Sequence, residues 1–480
     1  MNKKCMKFVN FFFIIYIIFT IYLLFCSFNY DIVSTTIFSL FLVGIVLFLK
    51  YLNSKSSKLK KCLKMLENKK FLIAILVLPI ILRLLLLLFD YNDLSKMSND
   101  YATFYNNAKN FASNSNLTSR YIAMFPYLFG YISGLGNFFK IFGVSSVNTI
   151  LFNLIVDLFG ALLCYLFMKK CYGKKTALIS LFIWLYNPFN ILWCLIPAPI
   201  IIVNTGIVLS LFAFTYVTNN LETTKKTILY SLILSIVLGF INSFRPIMII
   251  FVIAVIIYYV YIFLAKKVCC KNLIISIILI FTGFSCYNYF NNSLISNYIN
   301  IPVSTKSYGW SIYVGSNYNS KGAWFSDLEF NNKLNSENFT ADEVHKYYFN
   351  KGLNNYKNNG LRNINHIFNK SVVLGSGISN SIISAIKTVL RLKLSDKIIF
   401  VLKFVLDLFY FSILFINLKF YSIKFDKNKD NVFFLVLLIL GMFSSTLFVE
   451  VASRYFLPIM VPLTLIASLI ISIKYESLKR

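Results

Sequence analysis

Apolar runs of about twenty residues recur along this chain, separated by short clusters of lysine. A helix needs about 20 apolar residues to cross the roughly 30 Å hydrocarbon core of a bilayer. The runs therefore predict a polytopic α-helical membrane protein, not a soluble globule. Composition agrees: 58% of residues are hydrophobic and only 14% charged, against about 25% charged in an average soluble domain. The formal net charge of +29 would suit a nucleic-acid binder, but the lysines do not form one face. They sit between apolar runs, as the positive-inside rule produces, so contact with anionic membrane lipids is expected and nucleic acid is not. The bias toward Lys, Asn, Ile, Phe and Tyr fits a genome poor in G and C, and the chain is read as a bacterial, multi-pass cell-membrane protein.

Alternation of lysine-rich and lysine-poor turns orders the spans. Expected helices at 8–28 and 32–50 form a hairpin, with no small-residue cleavage site after the first. The linker 50–70 carries eight lysines against one acid, Glu67, and belongs in the cytoplasm. A third helix at 71–89 leads out to Asp90 and Asp93. Tyr121–Gly143 is apolar but interrupted by Pro126, four glycines and Lys140. If it crossed, every later basic cluster would face outward, so it is expected to lie along the outer interface or re-enter. Further helices are expected at 147–168, 176–193, 198–218, 227–244, 247–264, 272–290, 398–418, 431–449 and 455–473, twelve in all with both termini inside. Four regions follow: 1–70, a hairpin and basic linker; 71–290, a membrane module with an outer loop at 90–146; 291–397, a large outer segment; and 398–480, the closing helices. Within the outer segment, 313–325 reads as a compact loop. Residues 338–357 read as a helix capped by Thr340 with Glu343, and 371–390 as a stretch able to touch the bilayer.

Nine cysteines are scattered with no disulfide framework in the outer segment. No phosphate loop, zinc spacing or internal repeat occurs. Both histidines, His345 and His366, fall in the outer segment, where solvated loop histidines are expected. No metal ligand set is legible, so no cofactor is assigned.

Charge in mid-membrane costs at least about 2.5–3.5 kcal/mol, so each such group needs a reason. Asp100 heads the stretch Ser98–Ala112, the first long polar interruption not crowded with lysine. Arg245 precedes Pro246 at an outer corner, and Glu450 and Arg454 bracket another. The topology thus gathers carboxylates and guanidinium groups about 350 residues apart in sequence onto one face. A guanidinium fork is suited to phosphate through two parallel charge-assisted bonds, and a phosphate-bearing lipid would match it. The plainer alternative has the arginines snorkelling to headgroups and Glu450 paired with Arg454. Arg83, near the outer end of its helix, is expected to snorkel or line the cavity. Asp157 and Asp407, near mid-span, must face protein, as structural groups or as proton relays.

Asn99-Asp100-Tyr101 through Ala108, Phe125-Pro126-Tyr127-Leu128-Phe129-Gly130 and Lys140-Ile141-Phe142-Gly143 resemble the first outer loop of GT-C glycosyltransferases, above all the family 39 type. That type includes protein O-mannosyltransferases and the lipid A aminoarabinose transferase. Tyr172-Gly173-Lys174-Lys175, Phe244-Arg245-Pro246 and Glu450 to Tyr455 resemble later family positions, so the likeness extends over about residues 75–470. The resemblance implies a GT-C-like bundle of about twelve transmembrane helices. It implies transfer of a sugar from a polyprenyl-phosphate donor to a cell-envelope acceptor at the extracytoplasmic face. The family's loop aspartate would map to Asp100 as the catalytic carboxylate, and its phosphate-contacting arginines to Arg245 and Arg454. Glu450, Arg83, Tyr101, Tyr105 and Trp324 are read as further substrate-binding candidates. The sequence departs from the family where Tyr101 replaces the second acid of an Asp-Glu pair, which weakens a divalent-metal role, and where two extra helices precede the usual first. The alternatives are an O-antigen polymerase or ligase-like enzyme and a lipid-sugar transporter relaying protons through Asp157 and Asp407.

Overall fold

The computed structural model describes residues 11–21, 69–90, 99–115, 117–266, 270–336, 338–391, 394–422 and 429–479. The expected helix 32–50 and most of the basic linker lie outside the described residues. All regular structure among the described residues is helical. Seven helices are long and apolar enough to span: Ser146–Tyr172, Ile200–Thr218, Thr224–Asn242, Met248–Ala265, Cys270–Ile299, Asp396–Leu418 and Ser453–Lys474. Shorter apolar helices at Phe11–Ile21, Leu76–Leu88 and Asn431–Thr446 fall on three further expected spans. The chain is a multi-pass α-helical membrane protein.

Two helices form the centre of the bundle. Ile200–Thr218 and the C-terminal helix are buried over 83% and 89% of their apolar windows, against 22% for Cys270–Ile299. Around them, apolar side chains remain exposed in stripes, such as Ile155, Phe159 and Leu162, or Leu229, Leu232, Ile236 and Phe240. Spacings of three and four place each stripe on one side of its helix, the side a bilayer covers. Helix-to-helix contacts use small polar groups: Ser231 bonds Ser276 at 2.8 Å, Tyr259 bonds Ser276 at 2.9 Å, and Thr224 donates to Asn272 at 3.0 Å. Among lipid tails such bonds and close packing hold helices together.

Lys174–Leu185 stops at the bend before Pro188, and the short helix Pro188–Trp193 follows under an Asn187 cap, so the expected single span 176–193 is two pieces. Asp100–Ala112 packs along Leu128–Phe142. The latter has 15 residues, about 22 Å at 1.5 Å per residue, which is shorter than the hydrocarbon core. Its start is pressed onto the corner carrying Arg245: a Cβ on Gly130 would stand 2.3 Å from the Ser243 carbonyl oxygen. The position thus requires glycine.

The polar segment after Cys270–Ile299 is largely helical. Gly309–Ser316 occupies part of the region expected as a loop, because its aromatic residues pack inward. Ala341–Asn359 has the expected capping box of Thr340 and Glu343. Arg362–Ser376 and Ile378–Leu390 meet at a 60° bend. Ile378, Ile382, Ile383 and Ile386 are buried in the main core, so one face of this stretch packs on protein, and the bent pair together is apolar enough to form one broken or re-entrant span. A second, smaller core joins Met124 and Phe125 to Trp310, Tyr313, Val314, Phe330, Val344 and Tyr348. It fastens the polar segment to the turn 124–127.

Candidate active site

Asn99 caps the helix Asp100–Ala112, its side chain accepting from the Ala102 amide at 2.9 Å. The cap fixes Asp100 in the first helical turn, where the helix dipole favours an anion. Arg454 arrives on the turn Ser453–Phe456 that leads into the C-terminal helix, and its Nη2 lies 3.1 Å from Asp100 Oδ2. Tyr455 donates its hydroxyl to Glu450 Oε1 at 3.3 Å. The Arg245 guanidinium stands over the Tyr455 ring, 4.1 Å from its centre, and that of Arg454 lies 5.7 Å from the same ring. Desolvation pushes the Glu450 carboxyl above the ordinary carboxylate range, against the pull of Arg454. Two acids and two guanidinium groups expected on one face therefore do meet, around Tyr455. Arg454 pairs with Asp100, not with Glu450 as the plainer alternative has it.

Tyr101 lies beside Arg454, whose charge opposes the upward push of burial on the phenol. Its ring leans on Trp193 with centres 6.5 Å apart, while Tyr105 meets Phe139 edge to face at 5.7 Å. Tyr121 and Tyr127 border the cluster as well. Burial raises both phenols, with Glu450 and Tyr455 acting on each. Sequence reasoning missed these two tyrosines and Tyr455, although Tyr127 and Tyr455 stand within the quoted motifs.

Two expectations need correction. Arg83 neither snorkels nor lines the cluster: it is buried against Asp157, Nη2 to Oδ2 2.7 Å, and also donates to the Leu185 carbonyl at 2.7 Å. Charge at that depth demands a partner, and Asp157 is the acid facing it. Trp310 and Tyr313 belong to the small core, Trp310 stacked on Phe330 at 3.7 Å; Trp324 remains exposed. The histidines are not solvated. His345 takes the Trp310 amide at Nδ1 (3.3 Å) and donates from Nε2 to the Met124 carbonyl (2.9 Å), and burial holds its imidazole below its usual range. His366 donates to the Gly315 carbonyl at 2.8 Å. Asp407 faces protein as expected, hydrogen-bonded by Ser379. Among the described residues, no three His, Cys, Asp or Glu side chains gather as a metal site.

Residues 126–288 match the family model of dolichyl-phosphate-mannose-protein mannosyltransferases. The matched stretch covers about a third of the chain. It begins at Pro126 in the turn beside Asp100's helix and includes Arg245. No curated protein matches. Among solved structures, the archaeal oligosaccharyltransferase AglB from Archaeoglobus fulgidus, in complex with an inhibitory peptide and a dolichol-phosphate, is 13% identical. The match takes in 82% of this chain and 50% of AglB, at a TM-score of 0.44. ArnT from Cupriavidus metallidurans, bound to undecaprenyl phosphate, is 9% identical over 85% of this chain and 78% of its own, at a TM-score of 0.37. The chain thus spans half the length of the AglB chain it resembles.

Proposed function

We propose that this protein is a membrane glycosyltransferase that moves a sugar from a polyprenyl-phosphate donor to a hydroxyl of a cell-envelope acceptor, at the extracytoplasmic face. One observation carries the reading: Asp100 and Arg454, 354 residues apart in sequence, stand 3.1 Å from each other and remain partly open. Arg245 and Glu450 join them through Tyr455. The mannosyltransferase signature over 126–288 gives the donor class. The face is inferred from charge: the helix ends opposite the cluster bear Lys169, Lys170, Lys174, Lys175, Lys225 and Lys226, which mark the cytoplasm.

The two arginines bind the donor phosphate, each offering a planar fork to its oxygens. The acceptor oxygen attacks the anomeric carbon, the carbon–oxygen bond to phosphate breaks, and its electron pair leaves with the lipid phosphate. Asp100 takes the acceptor proton as general base. In the resting site Arg454 holds that carboxylate. A bound phosphate competes for the same guanidinium, which loosens the hold and frees the Asp100 carboxylate to face the acceptor. Arg245 and Arg454 stabilise the charge that grows on the phosphate as it departs. Displacement in one step inverts the anomeric centre. Tyr101, Tyr121 and Tyr127 border the cluster, and exposed Trp324 offers an aromatic face to an acceptor on the polar segment.

The purified protein, supplied in parallel with radiolabelled polyprenyl-monophosphate and polyprenyl-diphosphate sugars, should release label from the monophosphate alone. Use of the diphosphate alone would instead support a polymerase or ligase. Mass spectrometry of cell-surface glycans with and without the gene identifies the acceptor.

A further inference from the structure

Lys370, in the helix Arg362–Ser376, is fully buried. Its ammonium donates to the Val449 carbonyl at 2.7 Å, the Gly315 carbonyl at 3.0 Å and the Tyr356 hydroxyl at 3.3 Å. An ammonium has three protons, and here each has an acceptor. Next to it the Glu450 amide donates to the Ser311 carbonyl at 2.7 Å and the Val451 amide to the Gly322 carbonyl at 2.9 Å. Residues 449–451 are therefore docked, backbone to backbone, on the polar segment.

The docking leaves no slack. A Cβ on Gly315 would stand 2.4 Å from the Val449 carbonyl carbon, and one on Gly322, whose φ is +73°, 2.8 Å from the Lys370 chain. Glu450 sits inside this docked stretch, and Arg454 follows four residues later. A buried ammonium is a costly way to hold a fold together, because an apolar side chain of equal size is often as stabilising or more so. What the charge adds is registration: two carbonyls from separate segments are drawn to one point.

We infer that Lys370 is a positioning residue, which clamps residues 449–451 onto the polar segment and so sets where Glu450 and Arg454 stand. Its catalytic consequence rests on the sugar-transfer reading above. The clamp itself does not.

Two measurements on full-length protein in detergent separate them. In Lys370→Met, hydrogen exchange at the Glu450 and Val451 amides should quicken at least tenfold while the unfolding midpoint holds. The kcat for transfer from polyprenyl-monophosphate sugar should fall at least tenfold, with acceptor KM little changed. Lys370→Arg, which keeps charge and donors, should restore most of both. Should Lys370→Met fail to accumulate, Tyr356→Phe removes the longest of the three bonds and should quicken exchange two- to threefold. Unaltered exchange in these variants overturns the clamp, whatever the transfer assay reads. Faster exchange with unaltered kcat overturns the positioning role. Exchange that responds as expected in a protein transferring nothing from a monophosphate donor sinks the sugar-transfer reading and leaves the clamp standing.

Discussion

Among the described residues, two arginine–aspartate pairs have opposite character. Arg83 and Asp157 meet in the middle of the bundle, with side chains 1% and 0% exposed. Asp157 accepts from Arg83 Nε at 2.8 Å and from the Trp184 indole at 3.0 Å, while Arg83 also donates to the Leu185 and Pro79 carbonyls. Arg454 and Asp100 share one contact at 3.1 Å and are 30% and 49% exposed. The first pair is closed off by protein on every side. The second remains partly open to solvent. Ion pairing alone therefore says little about role, and access says much more. By that criterion Arg83–Asp157 ties three helices together, and Arg454–Asp100 is the pair a ligand can reach.

The contrast can be broken most directly at Asp100. Asp100→Asn should lower kcat for transfer by about 10³-fold, within the usual range for a lost general base, and leave the unfolding midpoint in place. Normal turnover would mean that the open pair is not the reactive one. Arg83→Met should do the reverse. Stranding Asp157 in the bundle should cost about 3–5 kcal/mol of stability, read by thermal unfolding in detergent. The double variant Arg83→Met/Asp157→Leu should regain most of that loss, and turnover per folded molecule should change little. If Arg83→Met spared stability and abolished transfer, the closed pair would have to be regarded as part of the site.

Smaller effects sharpen the comparison. Arg245→Ala should raise the donor KM by about tenfold, or about 1.4 kcal/mol, with little change in acceptor KM. An unaltered donor response would leave Arg245 as a packing partner of Tyr455. The smallest effect concerns pH. Burial disfavours the charged form of Glu450, so its proton returns at a higher pH than for an ordinary glutamate. If ionised Glu450 is needed to hold Tyr455, kcat/KM should fall by a few-fold on acidification, with its midpoint above about 4.3. Glu450→Gln should erase that limb. An acid limb unaltered by the substitution would assign it elsewhere.

Much of this architecture was legible in the sequence because membrane insertion imposes a length and a charge code on every span. Connectivity then decided that Arg245, Glu450, Arg454 and Asp100 share one end, and the contacts around Tyr455 agree. Partner choice was not legible. Nothing in the residues around Arg83 says that Asp157, 74 positions on, will face it. The buried state of His345, His366 and Lys370 was equally hidden. Their partners are backbone carbonyls of Met124, Gly315 and Val449, which carry no side-chain signature. The polar segment looked like a solvated excursion because its composition is that of a loop. Its cores depend on long-range aromatic contacts, such as Trp310 on Phe330 and Phe125 on His345, that no local period announces.

Tyr455 has a consequence of its own. One phenol ring contacts two cations, and its oxygen tethers an acid, so three functional groups lean on a single rigid plate. Phenylalanine there would cut the acid loose yet keep the cation contacts; leucine would release all three. Two cations and an acid thus answer to one side chain, so a single substitution at Tyr455 can disturb all three together.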